Sequence, residues 1–320
     1  MNELAPPRLA VGIHAGIPEG VYHADCAPEP SASASILKKL DRQSPEHARD
    51  AHPRLNPAWR HSTATEAMEI GTILHAMMLG TEQTWRVYEY DSWRGKAADV
   101  RDGCREAGII PILAHKLEPI EAMGAAYQRR IERDFPKLHS ALHDPDTLKE
   151  ATIITRINGV MCRARVDLLP PPGYGFMGDL KFTGLDAPPD EYERTVRREY
   201  RYQSNLYPRM VEATRGDAPE FRFYCAEEKA PHGMACYAFG PGAGERNRQR
   251  VDGALEKWAV CLAANEWPGY PTLIHTIEDD EWEGRRDENA ALRHSAAASV
   301  SAGVIRKMHE ISARIGGPLR

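Results

Sequence analysis

Ala151-Thr152-Ile153-Ile154-Thr155-Arg156-Ile157, then Asn158-Gly159, then Val160-Met161-Cys162-Arg163-Ala164-Arg165-Val166-Asp167-Leu168-Leu169: two β-prone runs flank an Asn-Gly pair. Asn and Gly accept the positive φ angles of a type I′ turn, whose twist matches that of paired strands, so this stretch predicts a β-hairpin. The break Pro170-Pro171-Pro172-Gly173 follows, and then a third β-prone run, 174–182, which contains Gly178-Asp179-Leu180-Lys181. Three antiparallel strands are expected.

Side chains alternate faces along a strand, so Arg163, Arg165 and Asp167 share one side while Cys162, Ala164 and Val166 take the other. The same rule puts Asp179 and Lys181 on a common face and turns Leu180 into apolar surroundings. If the strands pair in this order, two carboxylates and one ammonium converge. Like charges held together need a counter-ion, and a hard divalent cation with oxygen ligands, Mg²⁺ or Mn²⁺, suits them. The lysine is repelled by such an ion and stays free to touch a phosphate or an attacking water.

Taken alone, Asp-x-Lys is an ordinary tripeptide, on most strands a solvated charge pair worth less than about 1 kcal/mol. Its setting is less ordinary. Asp167 lies twelve positions before Asp179, and Gln203 and Tyr207 follow one helical turn apart. That order resembles the PD-(D/E)xK nuclease superfamily in its exonuclease branch, with Val166-Asp167 where the family often has Pro-Asp. Within the branch the chain is similar to the RecE (exonuclease VIII) type of prophage recombination systems. The strings that carry the likeness are Gly71-Thr72-Ile73-Leu74-His75, Cys162 to Asp167, Gly178 to Thr183, Tyr200-Arg201-Tyr202-Gln203-Ser204-Asn205-Leu206-Tyr207, and Glu266-Trp267-Pro268-Gly269-Tyr270.

The resemblance implies an α/β fold with a mixed central sheet flanked by helices and a helical N-terminal part. It implies metal-dependent hydrolysis of DNA at double-stranded ends, 5′ to 3′, supplying single strands to an annealing protein, by a ring-shaped homo-oligomer in a bacterial or phage-infected cell. The implied ligands of one or two ions are Asp167, Asp179, His75 and the Leu180 carbonyl. Lys181 would act on the nucleophile or the phosphate, Gln203 and Tyr207 would hold the strand, and Glu150 would stand near a second metal or its waters. A lone histidine on an apolar helix is otherwise a hydrogen-bonded core residue. The segment after residue 91 would be a flap near DNA, with Arg94 and Lys96 as phosphate contacts or plain loop charges. An endonuclease or repair nuclease of the same superfamily, and a silent DNA-binding scaffold, are the rival expectations; retention of both acids and the lysine argues against silence.

Length and composition agree with a globular protein. The 320 residues are 42% hydrophobic, enough for a sizeable core. No apolar run reaches membrane-spanning length and no signal-peptide pattern opens the chain, so a cytoplasmic location is expected. The six cysteines are scattered, without the grouped thiolates of a zinc or iron–sulfur site. The net charge of −5 is unlike that of a typical nucleic-acid binder. Basic residues nevertheless cluster: Arg163 and Arg165 on the strand, and Arg194, Arg197, Arg198 and Arg201 near the Gln203 helix. The alternative for the helix arginines is a solvated helix face.

Three segments are expected: a loosely docked arm over 1–30, a nuclease domain over 31–285 with its helical part to 149, and an Ala-rich helical tail over 286–320. Helices are predicted from Ser33 or Ser35 to Leu40, from Pro45 to about 51, over 65–79, 99–107, 116–133, 190–211 and 246–264, with Pro208 kinking the one that carries Gln203. Strands are predicted at 87–90, 221–226 and 234–239.

Overall fold

Asn158 and Gly159 take φ angles of 50° and 79°, the left-handed values the turn requires. The strands beside them pair antiparallel from Ile157 opposite Val160 to Leu148 opposite Leu169. Around this hairpin the computed structural model describes residues 7–60 and 64–274. Before the hairpin come β1 (Gly12–His14), α1 (Glu19–His23), α2 (Ala34–Arg42), α3 (Pro45–Asp50), α4 (Glu66–Leu79), β2 (Trp85–Tyr88), α5 (Lys96–Glu106), β3 (Ile110–Leu113), α6 (Ala114–Asp134) and α7 (Pro136–His143). The hairpin is β4 (Leu148–Ile157) and β5 (Val160–Leu169). After it come β6 (Phe176–Thr183), α8 (Pro189–Glu199), α9 (Arg201–Arg215), β7 (Glu220–Glu227), β8 (Met234–Tyr237) and α10 (Pro241–Ala264).

The expected helix starts hold because their caps hold. The side chains of Ser33, Ser44 and Thr65 each accept a hydrogen bond from the backbone N–H three residues on, satisfying a donor that the first turn leaves free. Pro45 occupies the first turn of α3, where its missing N–H costs nothing.

Six strands form the central sheet in the order β1-β4-β5-β6-β7-β8. All pairs are antiparallel except β6 with β7, which run parallel in register from Phe176 opposite Glu220 to Thr183 opposite Glu227. A parallel pair needs a crossover, and α8 with α9 supplies it. Helices cover both faces. Leu37 and Leu40 of α2, Leu206 and Met210 of α9, and Leu255 and Trp258 of α10 pack on Ala164, Val166, Met177 and Phe223. Ile73 and Leu74 of α4, Tyr127 of α6 and Leu138 of α7 pack on Leu168, Phe176, Leu180 and Tyr224 from the other side. β2 and β3 form a separate parallel pair. No helix among the described residues is long and apolar enough to cross a membrane.

The structure departs from expectation in several places. Residues 7–30 are not a loose arm. β1 pairs with β4 at the sheet edge, and Cys26 and Ala27 are buried against Ile154 and Met161. Asp25, fully buried, meets Arg163 at 3.2 Å and His52 at 3.3 Å, and accepts from the Ser31 hydroxyl at 2.6 Å. The anchor is a buried charge network, so the segment shows no apolar periodicity. The expected single helix over 190–211 is two helices broken at Tyr200, with no glycine or proline at the break. There the Tyr200 ring stacks on Phe223 at 5.2 Å. Pro208 lies inside α9, which continues to Arg215. α1 and α7 are additions to the expected helices. The predicted 286–320 tail and the end of the 31–285 domain lie outside the described residues.

Candidate active site

Every other residue of β5 from Val160 to Val166 faces the α2, α9 and α10 layer, yet Leu168 packs in the opposite layer. The alternation slips at Asp167. Across from it on β4, between the pairs Lys149 with Leu168 and Ala151 with Val166, Glu150 has a φ of 50°. This left-handed conformation is costly for a residue with a Cβ. Glu150 thus sits inside β4 rather than before it. On its other side β5 pairs with β6 only at Leu168 opposite Gly178, and beyond that point the strands part. Irregularity of this kind is common where a sheet re-aims a functional side chain.

Into the fork goes the Asp167 carboxylate, whose Oδ2 accepts the Leu180 N–H at 2.8 Å in place of a strand hydrogen bond. Asp179 is the neighbouring residue on β6, with Leu180 turned into the apolar layer as expected. Lys181 Nζ lies 2.5 Å from Asp179 Oδ2. Gln203 of α9 donates to Asp179 Oδ1 at 3.2 Å. From α4, His75 Nδ1 comes within 3.7 Å of Asp167 Oδ2. The imidazole stands edge-on to Phe182 at 5.1 Å. Asp167, Asp179, Lys181, His75, Leu180 and Gln203 are therefore brought together.

Electrostatics follow from burial and like charge. Burial, and then the neighbouring Asp167 charge, push the Asp179 carboxyl up to about 6 against the pull of Lys181. Asp167 is raised for the first of these reasons. Burial pushes His75 down to about 4, and Lys181 adds to it, so the imidazole is neutral and can act as a donor ligand. Burial alone would lower Lys181, but Asp179 and Asp167 outweigh it and keep the ammonium charged.

With the imidazole neutral, two carboxylates face one ammonium, an excess of one negative charge. Asp179 Oδ2 is buried and receives no hydrogen bond, its contact with Lys181 lacking the geometry of one. Among the described residues no three His, Cys, Asp or Glu side chains stand ready-arranged around a metal position; Asp179 is closed onto Lys181. In donor chemistry the group fits a hard divalent cation: carboxylate oxygens, one of them an orphan, a backbone carbonyl and a neutral imidazole.

Of the residues expected to contact DNA, Arg163 and Arg165 are turned to other partners. Arg163 is buried, donating to the Ser31 carbonyl at 2.6 Å and pairing with Asp25. Arg165 donates to the Ile17 carbonyl at 2.7 Å and to Glu150 at 2.9 Å. The alternation rule puts both on the right face, but the N-terminal segment covers that face. Arg94 and Lys96 are exposed around the start of α5, and among the described residues no ion pair joins them to the carboxylates. Arg201 donates to the Arg197 carbonyl and lies beside Asp41, Arg42 and Arg250 rather than the site.

Two tyrosines of the site carry no role in the sequence reading. The Lys181 ammonium lies over the Tyr200 ring, 5.2 Å from its centroid, a favourable cation–π contact. Tyr22 of α1 lies beside Tyr207, and Tyr207 beside Gln203, which donates to Asp179. The helical period marks Tyr200 as sheet-facing; nothing marks Tyr22, whose partner is far away in sequence.

A family model described as a PDDEXK-like domain of unknown function matches residues 33–279. The fold is similar to that of a protein from Eubacterium rectale provisionally described as an exonuclease, with a TM-score of 0.54 at 15% identity over 83% of this chain and 97% of the other. At that identity the likeness concerns fold. No curated protein matches the chain.

Proposed function

The chain belongs to the family of PDDEXK-like domains of unknown function, and we propose that it is a metal-dependent exonuclease of the RecE type that hydrolyses phosphodiesters at double-stranded DNA ends. The observation that carries this reading is the Asp167–Asp179 pair in the fork of β5 and β6, Asp179 buried and Asp167 partly so, with the Lys181 ammonium 2.5 Å from Asp179. Mg²⁺ is the proposed ion, with Mn²⁺ able to replace it. The rest of the proposal is 5′-to-3′ polarity, a ring-shaped assembly, and delivery of the single strand to an annealing protein for recombination.

Asp167, Asp179, His75 and the Leu180 carbonyl would hold the ion. Bound there, it would lower the pKa of water and offset charge on the scissile phosphate. The chain's own groups do the positioning. Gln203 fixes the Asp179 carboxylate through Oδ1, and Tyr207, one helical turn on, would help hold the DNA strand. Lys181 stays protonated and lies on the Tyr200 ring. The Lys181 ammonium would serve the attacking water or a phosphate oxygen. Glu150, held by Arg165, adds negative charge beside Asp167 and His75.

The test is digestion of linear duplex DNA labelled separately at its 5′ and 3′ ends, beside a covalently closed circle of the same sequence. Mg²⁺-dependent release of 5′-labelled nucleotides from the linear form alone is expected. Cutting of the circle would replace the exonuclease with an endonuclease, and no hydrolysis of either with Mg²⁺ or Mn²⁺ would overturn the nuclease reading.

A further inference from the structure

The break between α8 and α9 separates two surfaces. On one side Tyr200 carries Lys181. The residues next to it in the chain, Glu199 and Arg201, belong to a basic cluster contributed by four helices. Glu199 pairs with Lys38 at 3.1 Å and Arg42 at 3.2 Å, both from α2, and with Arg198 of α8 at 2.7 Å. Asp41 pairs with Arg250 of α10 at 3.4 Å and also accepts the Tyr202 hydroxyl. Arg201, near Arg42, Arg250 and Asp41, has no carboxylate partner among the described residues and donates only to the Arg197 carbonyl at 2.6 Å.

Five cations therefore share two carboxylates, Asp41 and Glu199, leaving three positive charges in excess. On a chain whose net charge is −5 this is a local reversal of sign. Its cost shows in Arg201, whose partial burial and the nearby Arg250 charge hold the guanidinium below its usual range. An uncompensated guanidinium cluster is matched by an anion, and guanidinium forks suit phosphate oxygens.

Resting on the nuclease reading above, we propose that Arg42, Arg201 and Arg250 form a shelf that binds consecutive backbone phosphates of duplex DNA, beginning one residue from the Tyr200 that supports Lys181. Lys38 and Arg198, tied to Glu199, flank it. The shelf reads no sequence, since its groups address phosphates rather than base edges. It gives an acidic protein a place to grip the duplex while a terminal phosphodiester occupies the carboxylate fork.

The experiment uses the full chain in EDTA and measures anisotropy of a fluorescently labelled duplex over a range of salt. The variants are the triple Arg42→Gln, Arg201→Gln, Arg250→Gln and the charge-preserving triple with Lys at the same positions. For the Gln triple the expected result is a Kd raised at least about tenfold. The slope of log K against log salt should fall in magnitude by about 2–3, roughly 0.9 for each phosphate that the variant leaves unneutralised. The Lys triple should restore the slope, which a structural effect of removing arginine would not allow. An unchanged Kd and slope in a folded Gln triple would overturn the shelf and leave the nuclease standing. A wild type that binds with a steep slope but never hydrolyses DNA would sink the nuclease reading and spare the shelf. Absence of duplex binding by wild type would overturn the shelf and leave the nuclease reading to its hydrolysis test.

Discussion

Asp179 is held at a cost. Its carboxyl is raised to about 6 by burial first and by Asp167 second. A carboxyl raised on folding contributes stability that is present below its unfolded value and lost as pH rises through the folded one. At neutral pH without metal, the ionised form therefore costs up to about 3 kcal/mol. Asp179→Asn should accordingly unfold at higher urea than wild type at pH 7 in EDTA, with the difference vanishing by about pH 4, while losing hydrolysis. Equal stability of the two proteins at pH 7 would show that the carboxylate is not strained. Asp179 and Lys181 are legible in the sequence as a pair because strand alternation puts them on one face, whereas Asp167, where the alternation slips, and His75 are reached through the family resemblance. Arg163 is misleading for a related reason: the face is right, but which segment covers a face is a long-range fact. The same holds for Tyr22, joined to Tyr207 by tertiary contact alone.

At the scale of elements, the hairpin and the capped helices are readable from turn chemistry, caps and period, whereas the parallel β6–β7 crossover is not. The break at Tyr200 is not either, since no glycine or proline marks it; the ring at the break stacks on Phe223. The N-terminal segment is the least legible. Its composition suggests an arm, yet its docking depends on Asp25, which faces Arg163, Ser31 and His52 in the interior. Breaking a buried ion pair from one side leaves the other charge uncompensated. Asp25→Ala should therefore cost about 3–5 kcal/mol in urea unfolding, where loss of an arm residue would cost almost nothing. A midpoint within error of wild type would restore the loose-arm description.

For the molecule as a whole, the sheet brings an acidic fork from β5 and β6 next to a basic cluster from α2, α8, α9 and α10, although the total charge is −5. Net charge hides this arrangement, since it sums over surfaces that the fold keeps apart. The central claim is that the fork binds a divalent ion and that Lys181 then acts on the reaction rather than on the binding. The most direct test pairs Mn²⁺ calorimetry with hydrolysis of linear duplex DNA, for wild type and Lys181→Met. Wild type should bind and cleave; the variant should still bind Mn²⁺, with cleavage reduced by about 10²–10⁴-fold, the range for loss of a positioned proton-transfer or charge-stabilising group. Cleavage by Lys181→Met at the wild-type rate, or a wild type that hydrolyses DNA without binding Mn²⁺, would contradict the account.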